Sequence, residues 1–175
     1  GVFYGVGLGP GDPDLITLKG MNILRKADIV FYVEGANSDQ SVSYKIAKQF
    51  VSKRCKLQRL IFGMSHNKDE CSKYWKANAS LIIEALKKGK NCAFVTIGDP
   101  LTFSTFIYIM ASLREEVPEL KIVTIPGITS YNAAAAKANL PLVKGDESLA
   151  VIPYTNSSAI NRILQADTLV VLKPY

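Results

Sequence analysis

The chain is poor in the residues that carry most side-chain catalysis. It holds one histidine, one tryptophan, three methionines and three cysteines in 175 residues. His66 lies in the polar stretch "GMSHNKDE" and reads as a solvated loop residue. That leaves no arguable serine–histidine–acid set and no histidine-based metal centre. Cys55, Cys71 and Cys92 are odd in number and lack paired ligand spacing, which argues against a disulfide framework and a zinc ribbon. They read as reduced thiols of a cytoplasmic protein, and no bound metal is expected. Long apolar runs are also missing. "LTFSTFIYIMASL" is too short and too rich in hydroxyls to span a bilayer and reads as a buried helix. The opening "GVFYGVG" runs directly into a strand pattern with no basic n-region before it, so no signal peptide and no membrane partner are expected. Charge is unbalanced, at net +6, but the basic residues are scattered, with "LKKGK" the densest group. Scatter of this kind fits a solvated surface rather than a nucleic-acid stripe. The surplus would suit a small polyanionic substrate, because positive potential around a cleft raises its local concentration.

What remains is a globular composition, 48% hydrophobic and 21% charged, arranged as alternating strands and helices. "VFYGV", "DIVFYV", "KLQRLIF", "NCAFVTIG" and "KIVTIPG" read as strands, and the apolar continuity of "DIVFYV" is that of a parallel strand covered on both faces. Helical patterns fall between them, the clearest over 68–88 with a stop at Gly89. "SYNAAAAKANL" reads as a helix with Ser130 a candidate N-cap. The rhythm resumes with strand "LAVIPY", helix "SAINRILQA" and strand "TLVVLK". The expected class is α/β with a mostly parallel sheet. Pro141, Gly145 and "KGDES" mark the domain boundary, giving an N-terminal domain over 1–143 and the start of a second over 144–175. Two strands and a helix make too little for an independent core, so the C-terminal domain reads as incomplete in this chain.

"GVGLGPG", Gly5 to Gly11, places glycine at every second position after an apolar strand. The dinucleotide fingerprint spaces its glycines differently and rests a pyrophosphate on the following helix N-terminus. Here Asp12 and Asp14 occupy that place and would repel an anion. Glu34 past the second strand could still mimic a ribose-binding acid, so a nicotinamide-dependent oxidoreductase stays open as an alternative. A second strand ends in "TIGDPLTFST" and a third in "TIPGITSYNAAAA". Three loops with bare backbone at the carboxyl edge of one sheet describe a ligand trough. The hydroxyls of Thr129 and Ser130 read equally as ligand contacts or helix caps, and the four alanines as close helix packing.

Together, "GVGLGPGDPDLITLKG", "AFVTIGDPLTFSTF" and "TIPGITSYNAAAA" resemble the tetrapyrrole methylase family over essentially the whole chain. "GDPLTFSTFIY", "PGITSYNAAAA" and "LPLVKGDESLAVIP" resemble its branch acting at C-20 of precorrin-2 or cobalt-precorrin-2 in cobalamin biosynthesis. The resemblance implies a two-domain homodimer that methylates a polycarboxylate tetrapyrrole, with S-adenosylmethionine held between the domains. Carried over by position, Pro10, Gly98, Asp99, Thr102, Thr129, Ser130 and Lys173 fall on cofactor-contacting positions. Gly9 and Gly11 fall on the loop that lets backbone approach the substrate. In uroporphyrinogen methylases a carboxylate assigned as proton acceptor follows the tyrosine that ends the second strand. Here Val33 stands there and Glu34 one residue later, facing the opposite way. Glu34 is kept as a candidate for substrate contact, against a solvated strand-end acid, and no catalytic base is assigned. Lys19, Arg25, Lys144 and Arg162 are candidate partners for substrate carboxylates. Methylation at another ring position, uroporphyrinogen methylation and a non-catalytic tetrapyrrole-binding domain stay open as alternatives.

Overall fold

The computed structural model describes residues 1–34, 41–62, 68–154 and 165–172. It resolves into two compact units, Gly1–Thr129 and Ser130–Tyr175. The first unit carries β1 (Phe3–Gly7), α1 (Leu18–Lys26), β2 (Ile29–Val33), α2 (Val42–Ala47), β3 (Lys56–Leu60), α3 (Lys68–Lys87), β4 (Cys92–Thr96), α4 (Phe106–Glu116) and β5 (Ile122–Ile125). The five strands form one sheet in the order β3-β2-β4-β1-β5, every neighbouring pair parallel. The α/β class and parallel sheet expected from the alternating pattern are present.

Burial on both faces explains the unbroken apolar strands. One face packs Phe3, Phe31 and Phe94 against Ile82 and Leu86 of α3 and Phe106, Ile109 and Leu113 of α4. The other packs Val6, Val30, Ala93 and Val95 against Leu24 of α1 and Ile46 and Ala47 of α2. Phe106 is fully buried, with its ring 6.0 Å from that of Phe3 and 5.9 Å from that of Phe94. It occupies the space above Gly5, where a Cβ would run into the ring. Part of the glycine alternation is therefore a packing requirement of the core.

Local signals set the helix ends. Thr17 caps α1, its hydroxyl oxygen accepting from Gly20 N at 3.1 Å, while Arg25 and Lys26 occupy the last turn. α3 stops before Gly89, whose φ of +77° is the left-handed conformation of a helix C-terminus. α2 is shorter than "SVSYKIAKQF" suggests, giving way after Ala47 to a turn closed by Phe50 N→Ala47 O.

The second unit holds α5 (Ser130–Ala138) and a parallel pair, β6 (Leu149–Pro153) and β7 (Thr168–Leu172). α5 begins at Ser130 itself, so this residue is the first of the helix rather than the cap before it. The Asp167 carboxylate closes the entry to the pair by accepting from Ser148 N and Ser148 Oγ, each at 2.8 Å. The helix expected over "SAINRILQA" falls on residues outside those described. Among the described residues no helix is long and apolar enough to cross a membrane.

Candidate functional site

β1 and β4 are neighbours whose onward connections run in opposite directions on opposite faces of the sheet. β1 leads through α1 on one face toward β2, and β4 leads through α4 on the other face toward β5. Adjacent strands whose connections leave to opposite faces form a switch point, where open α/β sheets bind ligands beyond the carboxyl ends of the strands. The three glycine-bearing loops follow β1, β4 and β5 and lie at this edge, all within the first unit.

The loops meet backbone to backbone. Leu8 N donates to Thr96 O at 2.9 Å, and Gly98 N donates to Gly9 O at 2.6 Å across an isolated antiparallel bridge. Gly9 and Gly98 have φ of +78° and +73°, a conformation that costs a residue with a Cβ about 1–2 kcal/mol. A Cβ on Gly7 would stand 2.6 Å from both Gly127 N and Gly98 O, and one on Gly127 would overlap the same carbonyl. Gly7 and Gly127 thus pack against each other and the Gly98 carbonyl with no room for a side chain, whereas Gly98 has open space where a Cβ would stand and is restricted by its φ alone. Pro10 and Gly11 continue the first loop outward, Gly11 at φ +131° with nothing in reach of a Cβ.

Asp12 Oδ1 accepts from Asp14 N at 3.0 Å and caps a single 3-10 turn, Pro13–Leu15. α1 begins only at Leu18 and has its own cap in Thr17. The loop therefore does not place a free helix N-terminus at its tip, which a pyrophosphate cradle requires.

Asp99 ties the second loop to the third. Its Oδ1 accepts from Leu101 N at 2.9 Å and Thr102 Oγ1 at 3.3 Å, and its Oδ2 accepts from Gly127 N at 3.1 Å. Ser104 Oγ donates to Thr96 Oγ1 at 3.1 Å and accepts from Phe106 N at 3.2 Å, holding the loop at the start of α4. Phe103 between them is left-handed at φ +50°. Two residues beyond Gly127, Thr129 Oγ1 is buried with no hydrogen-bond partner. An unpaired buried hydroxyl costs about 1–3 kcal/mol, so its presence needs a reason.

Of the residues singled out from sequence, Gly9, Gly98, Asp99 and Thr102 come together here, flanked by Pro10 and Gly11, with Thr129 next along from the latched Gly127. Ser130 opens α5 in the second unit, which also contains Lys144. Lys173, Arg162 and His66 lie outside the described residues. Lys19 is exposed in the first turn of α1, whereas Arg25 is in its last turn, at the opposite edge of the sheet. Glu34 sits at the carboxyl end of β2, the strand beside β4 on the side away from β1. Its Oε2 pairs with Arg59 Nη1 at 3.2 Å and its Oε1 accepts from Ser41 N at 3.3 Å. Val33 packs instead into the core under α3 and α4. Burial, and next the Glu34 charge, raise the Tyr32 hydroxyl above its usual range.

Sequence reasoning missed Ser104 and Arg59. Gly7 and Gly127 were visible in the glycine-bearing loops, yet what Gly127 contributes is an N–H taken by a side chain 28 residues earlier.

The switch point, the bare backbone and the orphaned hydroxyl mark a candidate ligand site on an α/β domain. Its described residues offer main chain, small hydroxyls and the one latched carboxylate of Asp99. Residues 2–175 match the family model described as Tetrapyrrole (Corrin/Porphyrin) Methylases, and the chain belongs to that family. It is 37% identical over 170 residues to a Methanocaldococcus jannaschii protein named "Probable cobalt-precorrin-2 C(20)-methyltransferase", covering 97% of this chain and 71% of that one. It is 35% identical over 178 residues to the cobalt-precorrin-2 C(20)-methyltransferase of Salmonella typhimurium, covering 100% of this chain and 73% of that one. The crystal structure of a cobalt precorrin-4 methyltransferase superimposes with a TM-score of 0.63 at 28% identity, over 86% of this chain and 56% of that one.

Proposed function

We propose that the protein methylates C-20 of precorrin-2 or cobalt-precorrin-2 in cobalamin biosynthesis, with S-adenosylmethionine as donor. Family membership and the names of the two relatives support the reaction. The observation that carries the site is the glycine cradle with Thr129 Oγ1 buried and unpaired beside it. A polar ligand reaching the β5 loop would give that hydroxyl a partner, and the open space at the Cβ positions of Gly11 and Gly98 leaves main chain accessible there.

When bound, the donor supplies an electrophilic methyl on a sulfonium, which an electron-rich meso carbon of a reduced tetrapyrrole takes with loss of one proton. Both reactants are activated already, so the chain's task is to hold them aligned. Positioning of that kind is worth up to about 7–11 kcal/mol of barrier. In this reading Pro10, Gly98, Asp99, Thr102, Thr129, Ser130 and Lys173 form the donor site. Gly9 and Gly11 admit the tetrapyrrole, and Glu34 contacts it from the end of β2, beside β4. The net charge of +6 favours a substrate bearing several carboxylates. The reading extends to a cytoplasmic homodimer, supported by the family resemblance and by the free thiols of Cys55 and Cys92; light scattering of the purified protein tests the dimer.

The decisive experiment is anaerobic incubation of the intact protein with S-adenosylmethionine and either metal-free or cobalt-containing precorrin-2, read by mass spectrometry. One added methyl, located at C-20, is the expected result, and the faster substrate assigns the pathway. No methyl on either substrate, with donor binding intact, would move the reaction to a different tetrapyrrole substrate or position.

A further inference from the structure

Asp99 invites the reading of an acid that touches a ligand directly, because it follows a glycine at the mouth of the crevice. Its hydrogen bonds point elsewhere. Oδ1 is occupied by Leu101 N and Thr102 Oγ1, which fold the β4 loop back on itself, and Oδ2 by Gly127 N of the β5 loop. Both oxygens accept from the protein, and each donor belongs to one of the crevice loops.

The β4 loop is fixed independently, by Gly98 N on Gly9 O and by Ser104 between Thr96 and Phe106. Asp99 therefore transmits a defined position to the β5 loop. Two residues past the latched N–H stands Thr129, whose buried Oγ1 lacks a partner. A hydrogen bond to an ionised acceptor is shorter and about twice as strong as a neutral one, which suits a carboxylate for a latch between two flexible glycine loops.

We propose that Asp99 is a positioning residue for the methyl donor, acting through Gly127 to hold Thr129 Oγ1 at the ligand. This inference rests on the donor reading of the site and assigns the route by which Asp99 serves it. An Asn at 99 offers one acceptor oxygen instead of two, and its NH2 cannot accept from Gly127 N.

The test is a double-mutant cycle in the intact protein, with Asp99→Asn, Thr129→Val and the pair. Calorimetric titration with S-adenosylhomocysteine would be set beside steady-state KM values for donor and tetrapyrrole. Each single variant is expected to weaken S-adenosylhomocysteine binding about 10-fold. The pair should lose little more than the weaker-binding single variant, since both changes disable one contact. Donor KM should rise while tetrapyrrole KM stays within twofold, a split that general damage to the fold would not produce. Multiplicative losses of about 100-fold in the pair would overturn the proposal in favour of independent contacts by Asp99. Binding by Asp99→Asn within twofold of the wild type would overturn it outright.

Should Asp99→Asn not fold, Asp99→Glu keeps the charge but cannot hold both loops at the same spacing. It must show the same donor-selective defect, and a wild-type donor KM in it overturns the latch. Failure of the wild-type protein to bind the analogue would instead remove the donor reading itself, and this role with it.

Discussion

The carboxyl edge of the sheet has two ends built on opposite plans. At the β1–β4–β5 end, the contacts between loops are main chain on main chain, with glycines at 7, 9, 98 and 127 and a single carboxylate across them. At the β2–β3 end, the same edge is held by side chains. Glu34 is clamped by Arg59 and Ser41 N, Tyr32 lies 4.9 Å from Tyr44 ring to ring, and Ser41 and Ser43 share a buried 2.7 Å hydrogen bond. The difference teaches where a ligand can enter. Side chains that satisfy each other fill space and rigidify it, whereas the packed glycines let the loops close on main chain alone, and the open Cβ positions of Gly11 and Gly98 leave backbone that a large planar substrate could approach closely.

The comparison breaks most completely if a methyl group is added at the glycine end. Gly127→Ala would overlap the Gly98 carbonyl, a main-chain atom that cannot swing aside. Displacement of the loop by the order of 1 Å should cut methyl transfer about 100-fold or more, read as kcat/KM under anaerobic conditions. A loss below tenfold would show that the stack is not needed for function.

Phe106→Ala attacks the support beneath the same loops rather than the loops themselves. Removing this fully buried ring should cost about 3–5 kcal/mol in urea unfolding. A cost under 1 kcal/mol would mean that the core above Gly5 collapses to fill the gap.

At the side-chain end a smaller effect is expected. Glu34→Gln removes the pair with the half-exposed Arg59 and should cost up to about 1 kcal/mol, an effect that fades as salt is added. Donor affinity should be unchanged and tetrapyrrole KM should rise severalfold. A shift in donor affinity would erase the distinction between the two ends.

Cys92, at the amino edge of the sheet and remote from both ends, gives a control that is silent at working pH. Burial pushes its thiol from the usual 9.0 to about 11. The neutral form is the one the fold favours, so this contribution is fully present below pH 9 and is lost as pH rises toward 11. Denaturation midpoints should be flat below pH 9 and fall above it, with the fall reduced in Cys92→Ala. Alkylation of Cys92 at pH 8 should be slow in the folded protein.

Much of the architecture was legible because it rests on short-range signals. Continuous apolar strands between amphipathic segments announce a parallel sheet covered on both faces, and Gly89 and Thr17 mark helix ends within a few residues. The three loops could be found because glycines recur just past the ends of buried strands. Their internal order could not. Whether alternating glycines serve a turn, a core ring or a ligand depends on what packs against each. Gly5 answers to Phe106, Gly7 to Gly127 and Gly9 to its own φ. Arg59 carried no local sign of its role, since its partner Glu34 lies on the neighbouring strand.

The sequence by itself determined the α/β class, the parallel sheet and the three loops at its carboxyl edge, because hydrophobic periodicity and backbone chemistry act over neighbouring residues. Only the tertiary structure decided which loops touch, where Asp99 sends its second oxygen and which hydroxyl is left without a partner. Those are contacts between residues far apart in the chain, set by strand order, and strand order is a property of the packed sheet rather than of any stretch within it.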